Sequence, residues 1–323
     1  MSKQSVSELP IACVTGATGL IGRYIVPLLL QQGYAVRILS RKPSSSVQAS
    51  VTHFIGDLGD LSSIHPFIQG ATLLFHCAGE VHDPQKMWQV NVQGTENLLK
   101  AARESSIRYF CHISSAGVIG NAAATLISEE TEPSPRTLYE SSKWASEQLV
   151  MQGLGENISV VVLRPTVVVD ETRPGPVYLA MQDGLLARLK RWIKGGECAY
   201  MVHAEDVARA AFFFKDTRFD TPACFFVSCD ADPWNTVAGI RAMYNALKCG
   251  ITPQLSNCPA HLPVYVPHLL RQLANRPGLR GDQRFSSQKL LAQGFMYHCN
   301  VKSIVQRCIH LRESDSAISE ILV

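Results

Sequence analysis

Residues 11–22, I-A-C-V-T-G-A-T-G-L-I-G, decide how the rest of the chain is read. An apolar run of the kind a buried strand presents, with Ile11, Cys13 and Val14, breaks at Gly16, Gly19 and Gly22. Leu20, Ile21, Tyr24, Ile25 and Leu28 then recur at helical spacing. Strand, tight turn and helix follow from this pattern. Such a turn presents backbone N–H groups and the positive end of a helix dipole, a setting that favours an anionic pyrophosphate. One glycine permits the turn, one lets the backbone approach a ligand without a Cβ, and one allows close helix–strand packing. The contacts expected here are Gly16, Thr18, Gly19, Leu20, Ile21 and Gly22. The G-x-x-G-x-x-G spacing departs from the larger G-x-G-x-x-G fingerprint, so context carries the reading: a strand before, a helix after, and a second strand over 35–39 beyond Gly33.

A chain of 323 residues, 46% hydrophobic and 18% charged, can build a sizeable core, as one large domain or as a domain with a smaller companion. Its formal net charge of +3 is slight, so bulk electrostatics calls for neither nucleic acid nor a membrane surface. The ten cysteines are scattered, without C-x-x-C pairs or Cys/His zinc spacing; they read as reduced, mostly buried small hydrophobes, and no metal site is expected. Residues 1–10 are polar, with no signal-peptide apolar region, and no window approaches the roughly 20 apolar residues of a membrane span. A soluble, cytoplasmic protein is expected.

Strand and helix patterns alternate over 11–169, as an α/β, doubly wound parallel sheet requires. The second strand ends in R-I-L-S-R-K. An acid just past it would hold the ribose 2′-hydroxyl of NAD, whereas Ser40, Arg41 and Lys42 favour a 2′-phosphate. NADP is therefore expected, with NAD the alternative and a solvated basic loop the plain reading. After a third strand, 51–55, Asp57-Leu58 either meets the adenine amino group or caps the helix over 61–68. The fourth strand, 71–77, runs into Cys77-Ala78-Gly79, small residues that pass beneath a cofactor. Glu80, Val81, His82 and Asp83 form a loop above, from which Glu80 and His82 are candidate substrate contacts.

A helix over 87–103 holds Asn91, a residue that competes with helical backbone bonding, which points to a local backbone role beside the active site. The fifth strand, 109–113, delivers Ser114 and Ser115 at its carboxyl end, where open α/β sheets place their chemistry. Residues 121–135 read as loop. Thr137 and Glu140 then form a capping box that starts a helix at about 138, with Tyr139 and Lys143 on one face. A sixth strand over 160–169 is interrupted by Arg164-Pro165. Beyond 170 the pattern expects a cationic helix over 179–193, a break at Gly195-Gly196, a helix over 201–214, a late strand over 225–227, and an apolar stretch, 262–273, that suits either a packed lid or an interfacial patch.

A phenol ordinarily titrates near a pKa of about 10. An ammonium one helical turn away, together with a positive nicotinamide, favours the phenolate. Tyr139 can then act as general acid to a carbonyl oxygen or general base to an alcohol, with Ser115 bonded to the same oxygen and Lys143 holding the nicotinamide ribose.

These residues belong to a longer series: T-G-A-T-G-L-I-G, Asp57-Leu58, H-C-A-G at 76–79, N-V-Q-G-T-E-N-L-L at 91–99, S-S-A-G-V-I-G at 114–120, Y-E-S-S-K at 139–143, L-R-P at 163–165 and H-A-E-D-V-A at 203–208. Over residues 10–230 the chain resembles the extended short-chain dehydrogenase/reductases, also called the NAD-dependent epimerase/dehydratase family. The resemblance implies a Rossmann-type domain over 1–170 and a mainly substrate-binding lobe over 171–323, with a strand and helix near 200–230 returning to the core. It implies Ser115, Tyr139 and Lys143 as the catalytic triad and matches Asn91 to the family's asparagine. It extends the cofactor contacts to Asn91, Ser114, Tyr139, Lys143, Arg164, Pro165 and Thr166, and it suggests a homodimer.

The chain departs from the family at Val168-Val169-Asp170, where members usually show a glycine. Members acting on nucleotide-linked sugars have a basic segment like 172–207, which makes Arg188, Arg191 and His203 substrate candidates, with Lys190 and Lys194 alongside. The leading expectation is an NADP-dependent oxidoreductase, possible also as an epimerase, acting on a nucleotide-activated sugar. A ketoreductase acting on an apolar ketone, of the hydroxysteroid or dihydroflavonol kind, is the alternative, and it would explain 262–273 and Trp192. A non-enzymatic NADP-binding sensor is the third reading.

Overall fold

The computed structural model describes residues 9–43, 50–120, 122–155, 157–274 and 279–321, the last seven by backbone only. The expectations for residues 1–8 and for Asn121 lie outside them. In chain order the elements are β1 (Ile11–Thr15), α1 (Gly22–Gln31), β2 (Ala35–Ser40), β3 (Val51–Ile55), α2 (Leu61–Ile68), β4 (Leu73–His76) and α3 (Pro84–Trp88). A π-helical turn, Gln89–Gln93, leads into α4 (Gly94–Arg103), followed by β5 (Tyr109–Ile113), β6 (Leu126–Ile127), α5 (Leu138–Met151), β7 (Ser159–Pro165) and β8 (Val167–Val169). Then come α6 (Pro176–Met181), α7 (Leu185–Lys194), β9 (Met201–His203), α8 (Ala204–Phe213), β10 (Ala223–Val227) and α9 (Val237–Lys248). The chain closes with α10 (Tyr265–Leu273), β11 (Arg284–Phe285), α11 (Gln288–Ala292) and α12 (Val301–Ile321).

Two compact units share the chain. The first is Met1–Ser114 with Thr137–Leu163 and Ala208–Cys224; the second is Ser115–Arg136 with Arg164–Val207 and Phe225–Val323. The first is built on the seven-stranded sheet, ordered β10-β7-β5-β4-β1-β2-β3. From β7 to β3 every neighbouring pair is parallel. Strand order reverses between β1 and β4, which makes their carboxyl ends the natural crevice of a doubly wound sheet. Central strands of such a sheet are covered on both faces, and accordingly Ala12, Cys13 and Val14 are fully buried and every residue of β5 is inside. Phe67, Leu98, Phe110, Val150 and Val162 pack together in this unit's core.

The second unit has its own core, with Val169, Met201, Ile240 and Ile304, and a satellite of Ile127, Phe226 and Phe285. The run read as one strand over 160–169 divides here: β7 stays in the large sheet, while β8 pairs in parallel with β9, Val167 opposite Met201. Pro165 sits at the break because it has no N–H to continue the ladder. Residues 201–203, expected to be helical, are therefore a strand, and α8 begins at Ala204. Residues 126–127, expected as loop, form β6 against β11. Residues 182–184 interrupt the cationic helix, and α10 occupies only the later part of 262–273. Among the described residues no helix is long and apolar enough to cross a membrane.

Candidate active site

In the first unit a groove of about 280 Å³ opens at the carboxyl ends of β1, β2, β3 and β4. Gly16, Thr18 and Gly19 form part of its lining. Gly16 takes φ +67°, a left-handed conformation that glycine adopts without penalty, and its N–H-rich turn is closed by the Gly19 N–H donating to the Gly16 carbonyl at 3.0 Å. A Cβ on Gly16 would stand 2.6 Å from the Ala78 nitrogen, and one on Gly22 would run into the Gly16 carbonyl. The floor is thus bare backbone, where a Cβ would block the close approach that a pyrophosphate needs. Gly22 opens α1, with Leu20 and Ile21 leading into it rather than lining the groove.

Ser40, Arg41, Asp57 and Leu58 line the far end of the groove. The Ser40 hydroxyl donates to the Lys42 carbonyl at 2.7 Å and is 2.6 Å from His53 Nε2; Arg41 and Lys42 are exposed, and Lys42 is outside the lining. Asp57 does not cap α2. That role falls to Asp60, whose carboxylate accepts the Ser62 N–H at 2.9 Å, while Asp57 Oδ1 accepts the Gly59 N–H at 2.7 Å. Cys77, Ala78, Gly79 and Glu80 form the opposite wall. Thr15, Leu39, Gly56 and Val90 also line the groove without having been read as contacts; Val90 reads in the sequence as an inward helix position, and Thr15 and Gly56 each follow or end a strand, the position where such a signal was available.

Asn91 is where the helix over 87–103 breaks. Its side-chain oxygen accepts the Glu80 N–H at 2.7 Å, and its amide donates to the Glu80 carbonyl at 3.0 Å and to the Ser142 hydroxyl at 2.9 Å. Fully buried, it ties the loop above the groove to α5. The widened π turn that carries it is the usual adjustment when one helical residue must face a function rather than a core. Glu80 turns its carboxylate onto its own loop, accepting N–H groups from Val81, His82 and Asp83; these bonds, led by His82, hold its pKa below the usual carboxylate value. His82 is exposed.

Lys143 lies fully inside the first unit on α5, one turn after the half-buried Tyr139, and its Nζ donates to the Ile113 carbonyl at 2.7 Å. Burial pushes its pKa down to about 8, against the upward pull of the Glu147 carboxylate one turn further on. Glu147 also accepts the Ser114 hydroxyl at 2.6 Å. Two buried histidines flank the lysine. Burial, then the Lys143 charge, lowers His76 to about 3, and the same two causes hold His112 well below its ordinary value. His76 is threaded between Thr15 Oγ1 at 2.7 Å and Thr95 Oγ1 at 2.9 Å, and Thr95 donates to the Asn91 carbonyl at 2.6 Å. This polar seam beneath the groove, with Ser142, Thr95, His76 and Glu147, was not read in the sequence, because nothing local marks a strand histidine or a helix serine as a partner of a residue tens of positions away.

The remaining candidates belong to the second unit. Ser115 follows β5 directly and caps a short 3₁₀ turn, its hydroxyl accepting the Gly117 N–H at 3.1 Å. The Arg164 guanidinium lies 5.5 Å above the Phe226 ring, Pro165 ends β7, and the Thr166 N–H donates to the Val227 carbonyl at 3.1 Å. Arg188 is exposed on α7 at a groove of about 830 Å³. Arg191, expected beside it, is buried, and its guanidinium donates to the Leu179 and Gln182 carbonyls at the end of α6, at 2.9 and 2.5 Å. His203 is buried as well: its Nδ1 accepts the Glu205 N–H at 3.2 Å, and its Nε2 is 3.6 Å from Glu171. Asp206 of the same motif receives the His298 and Cys299 N–H groups at 2.7 and 3.0 Å, so H-A-E-D-V-A fastens this unit's own chain together. His203, Glu205 and Cys299 offer ligand atoms within 4.8 Å of one another, but the Arg307 guanidinium sits 2.7 Å from Glu205 and already supplies a positive charge. Among the described residues the cysteines are unbridged and mostly buried.

The family model described as "NAD dependent epimerase/dehydratase family" matches residues 12–222. A ketoreductase of a farnesylated dihydroquinoline oxide from Stigmatella aurantiaca is 30% identical over 194 residues, covering 57% of this chain and 57% of the relative. Sterol demethylase protein B of Methylococcus capsulatus is 32% identical over 194 residues, covering 56% and 59%. The chain thus spans somewhat over half the length of these relatives. Among solved structures, a short-chain dehydrogenase/reductase superfamily protein from Agrobacterium tumefaciens with bound NAD superposes with a TM-score of 0.74 at 18% identity, over 96% of this chain and 99% of that one.

Proposed function

The chain belongs to the NAD-dependent epimerase/dehydratase family of extended short-chain dehydrogenase/reductases, and from that premise we propose that it is a nicotinamide-dependent oxidoreductase interconverting a ketone and a secondary alcohol on a largely apolar substrate. The observation that carries the reading is the one-turn pair on α5: Tyr139 half-buried, and Lys143 buried with its Nζ anchored 2.7 Å from the end of β5. A bound cofactor supplies hydride; Tyr139 exchanges the proton with the substrate oxygen. The lysine's charge favours the phenolate, and its anchoring at Ile113 keeps it in register with the tyrosine. Ser115 is assigned to the same oxygen on the sequence pattern. Asn91 holds the loop and helix in place, which makes it a positioning residue. Residues 171–323 are taken as mainly substrate-binding.

NADP is proposed over NAD because exposed Arg41 lines the groove at the end of β2, where NAD binders carry an acid, and Arg41 pairs well with a 2′-phosphate. The apolar substrate is preferred because both relatives named above act, by their names, on lipophilic compounds. In addition, Arg191, one of the cations a diphosphate needs, is committed to the α6 carbonyls. One observation favours a nucleotide sugar as the second reading: Arg188 stands exposed on the larger groove of the second unit.

The test is NADPH oxidation across a panel of steroid, quinolone and flavonoid ketones and of UDP- and dTDP-sugars. We expect turnover with the apolar set, and a loss of about 10²–10⁴-fold in Tyr139→Phe with NADPH affinity kept. Full turnover in Tyr139→Phe would remove the assignment, and turnover only with sugars, sensitive to Arg188→Ala, would establish the second reading.

A further inference from the structure

In an ordinary surface helix the apolar stripe faces the core. In α7 the stripe faces out. Leu185 is 84% exposed, and Leu186, Leu189 and Trp192 share its outward side, while the buried side carries Ala187 and Arg191. The helix is held by polar bonds instead, through the Arg191 guanidinium on the Leu179 and Gln182 carbonyls. Within the same unit α10 repeats the arrangement. Tyr265, Leu269, Leu270 and Leu273, the last 77% exposed, point outward, while Pro267 is buried and Arg271 is fixed to Glu197 at 2.6 Å. The two helices pack on each other, joined by the Leu262 N–H donating to the Trp192 carbonyl at 2.8 Å and by His261 lying over Gly195 and Gly196.

Two adjoining helices thus expose eight large apolar side chains between them, more than the singly scattered exposed residues of a soluble monomer. Its border is cationic: Arg188, Lys190 and Lys194 on α7 are exposed, and His261 is exposed beside them. The one exposed acid on the segment leading into α7, Asp183, is paired with Arg241 at 2.6 Å. Outward leucines with a tryptophan and a tyrosine, fringed by exposed cations, match the interfacial zone of an anionic bilayer, where the rings sit at headgroup depth and the cations meet phosphates. We propose that α7 and α10 together form a docking surface for an anionic lipid membrane, on which the protein lies without spanning it. The proposal rests on the apolar-substrate reading, since a nucleotide sugar held at Arg188 would occupy the groove that Leu185, Leu189 and Trp192 line.

The experiment is flotation of the full chain with phosphatidylcholine vesicles and with vesicles containing phosphatidylglycerol. Binding to the anionic vesicles is expected, with a rise in salt weakening it. Leu186→Glu combined with Leu273→Glu should reduce binding at least tenfold, and Lys190→Glu with Lys194→Glu should do so on anionic vesicles, while thermal unfolding stays that of the parent because all four side chains are exposed. Failure of the parent to float with either vesicle, or flotation indifferent to both pairs of substitutions, overturns the proposal. So does a parent that runs as a dimer in solution and becomes monomeric in the leucine variant, since a second copy would then be the occupant.

Discussion

At the scale of single residues, the proposed chemistry turns on a charge kept where water is scarce. Lys143 in the folded chain titrates at about 8 against an ordinary 10.5, because burial penalises its ammonium more than Glu147 supports it. Below pH 8 both folded and unfolded chains hold this proton and its penalty is constant; between 8 and 10.5 the folded chain gives it up first, so this group's contribution to stability improves as pH rises through that window. Activity runs the other way. In the proposed role Tyr139 becomes a weaker acid as Lys143 discharges, because the phenolate it leaves loses its supporting charge, so kcat/KM for ketone reduction should fall above about pH 8, and a profile flat between 7 and 9 would show that the lysine does not govern the proton step. His76, at about 3, and His112, lower than usual, are neutral throughout that range and add no inflection. Gly22 is a residue whose side chain is missing for a reason: Gly22→Ala drives a methyl into the Gly16 carbonyl, and NADP binding measured by fluorescence titration should weaken more than tenfold. Arg41→Ala should weaken NADP by about tenfold, close to the 1.4 kcal/mol of one charge-assisted bond, and leave NAD unchanged.

At the scale of elements, the segment over 87–103 shows how a local irregularity serves a site. Periodicity expects one helix, and the apolar positions Leu98 and Leu99 do face the core. The π turn at Gln89–Gln93 arises because the Asn91 side chain bonds three remote groups, on Glu80 and Ser142, that a regular helix would leave unmet. Asn91→Ala removes those partners and should cost about 1–3 kcal/mol, seen as a lower urea midpoint at unchanged slope. Other elements were legible outright. Thr137 and Glu140 form the capping box their spacing announces, since a cap is settled within four residues. The strand at 160–169 was not, because a proline can end one ladder and let the next residues pair elsewhere, and which partner they find is not a local matter.

At the scale of the whole molecule, a cofactor that binds only the folded chain should raise its thermal midpoint, by several degrees at saturating NADP and by less at the same concentration of NAD. An equal shift from both would remove the role given to Arg41. The sequence by itself determined the doubly wound parallel sheet, the glycine turn at 16–22 and the family, because strand alternation, helical spacing and turn chemistry are rules of neighbouring residues. Only the tertiary structure decided that Asn91 joins Glu80 to Ser142, that the Lys143 ammonium is buried among His76, His112 and Glu147, that Arg191 is turned inward onto α6, and that α7 and α10 turn their leucines outward. Burial and hydrogen-bond partnership depend on what the rest of the chain brings to each side chain, and no window of sequence contains that.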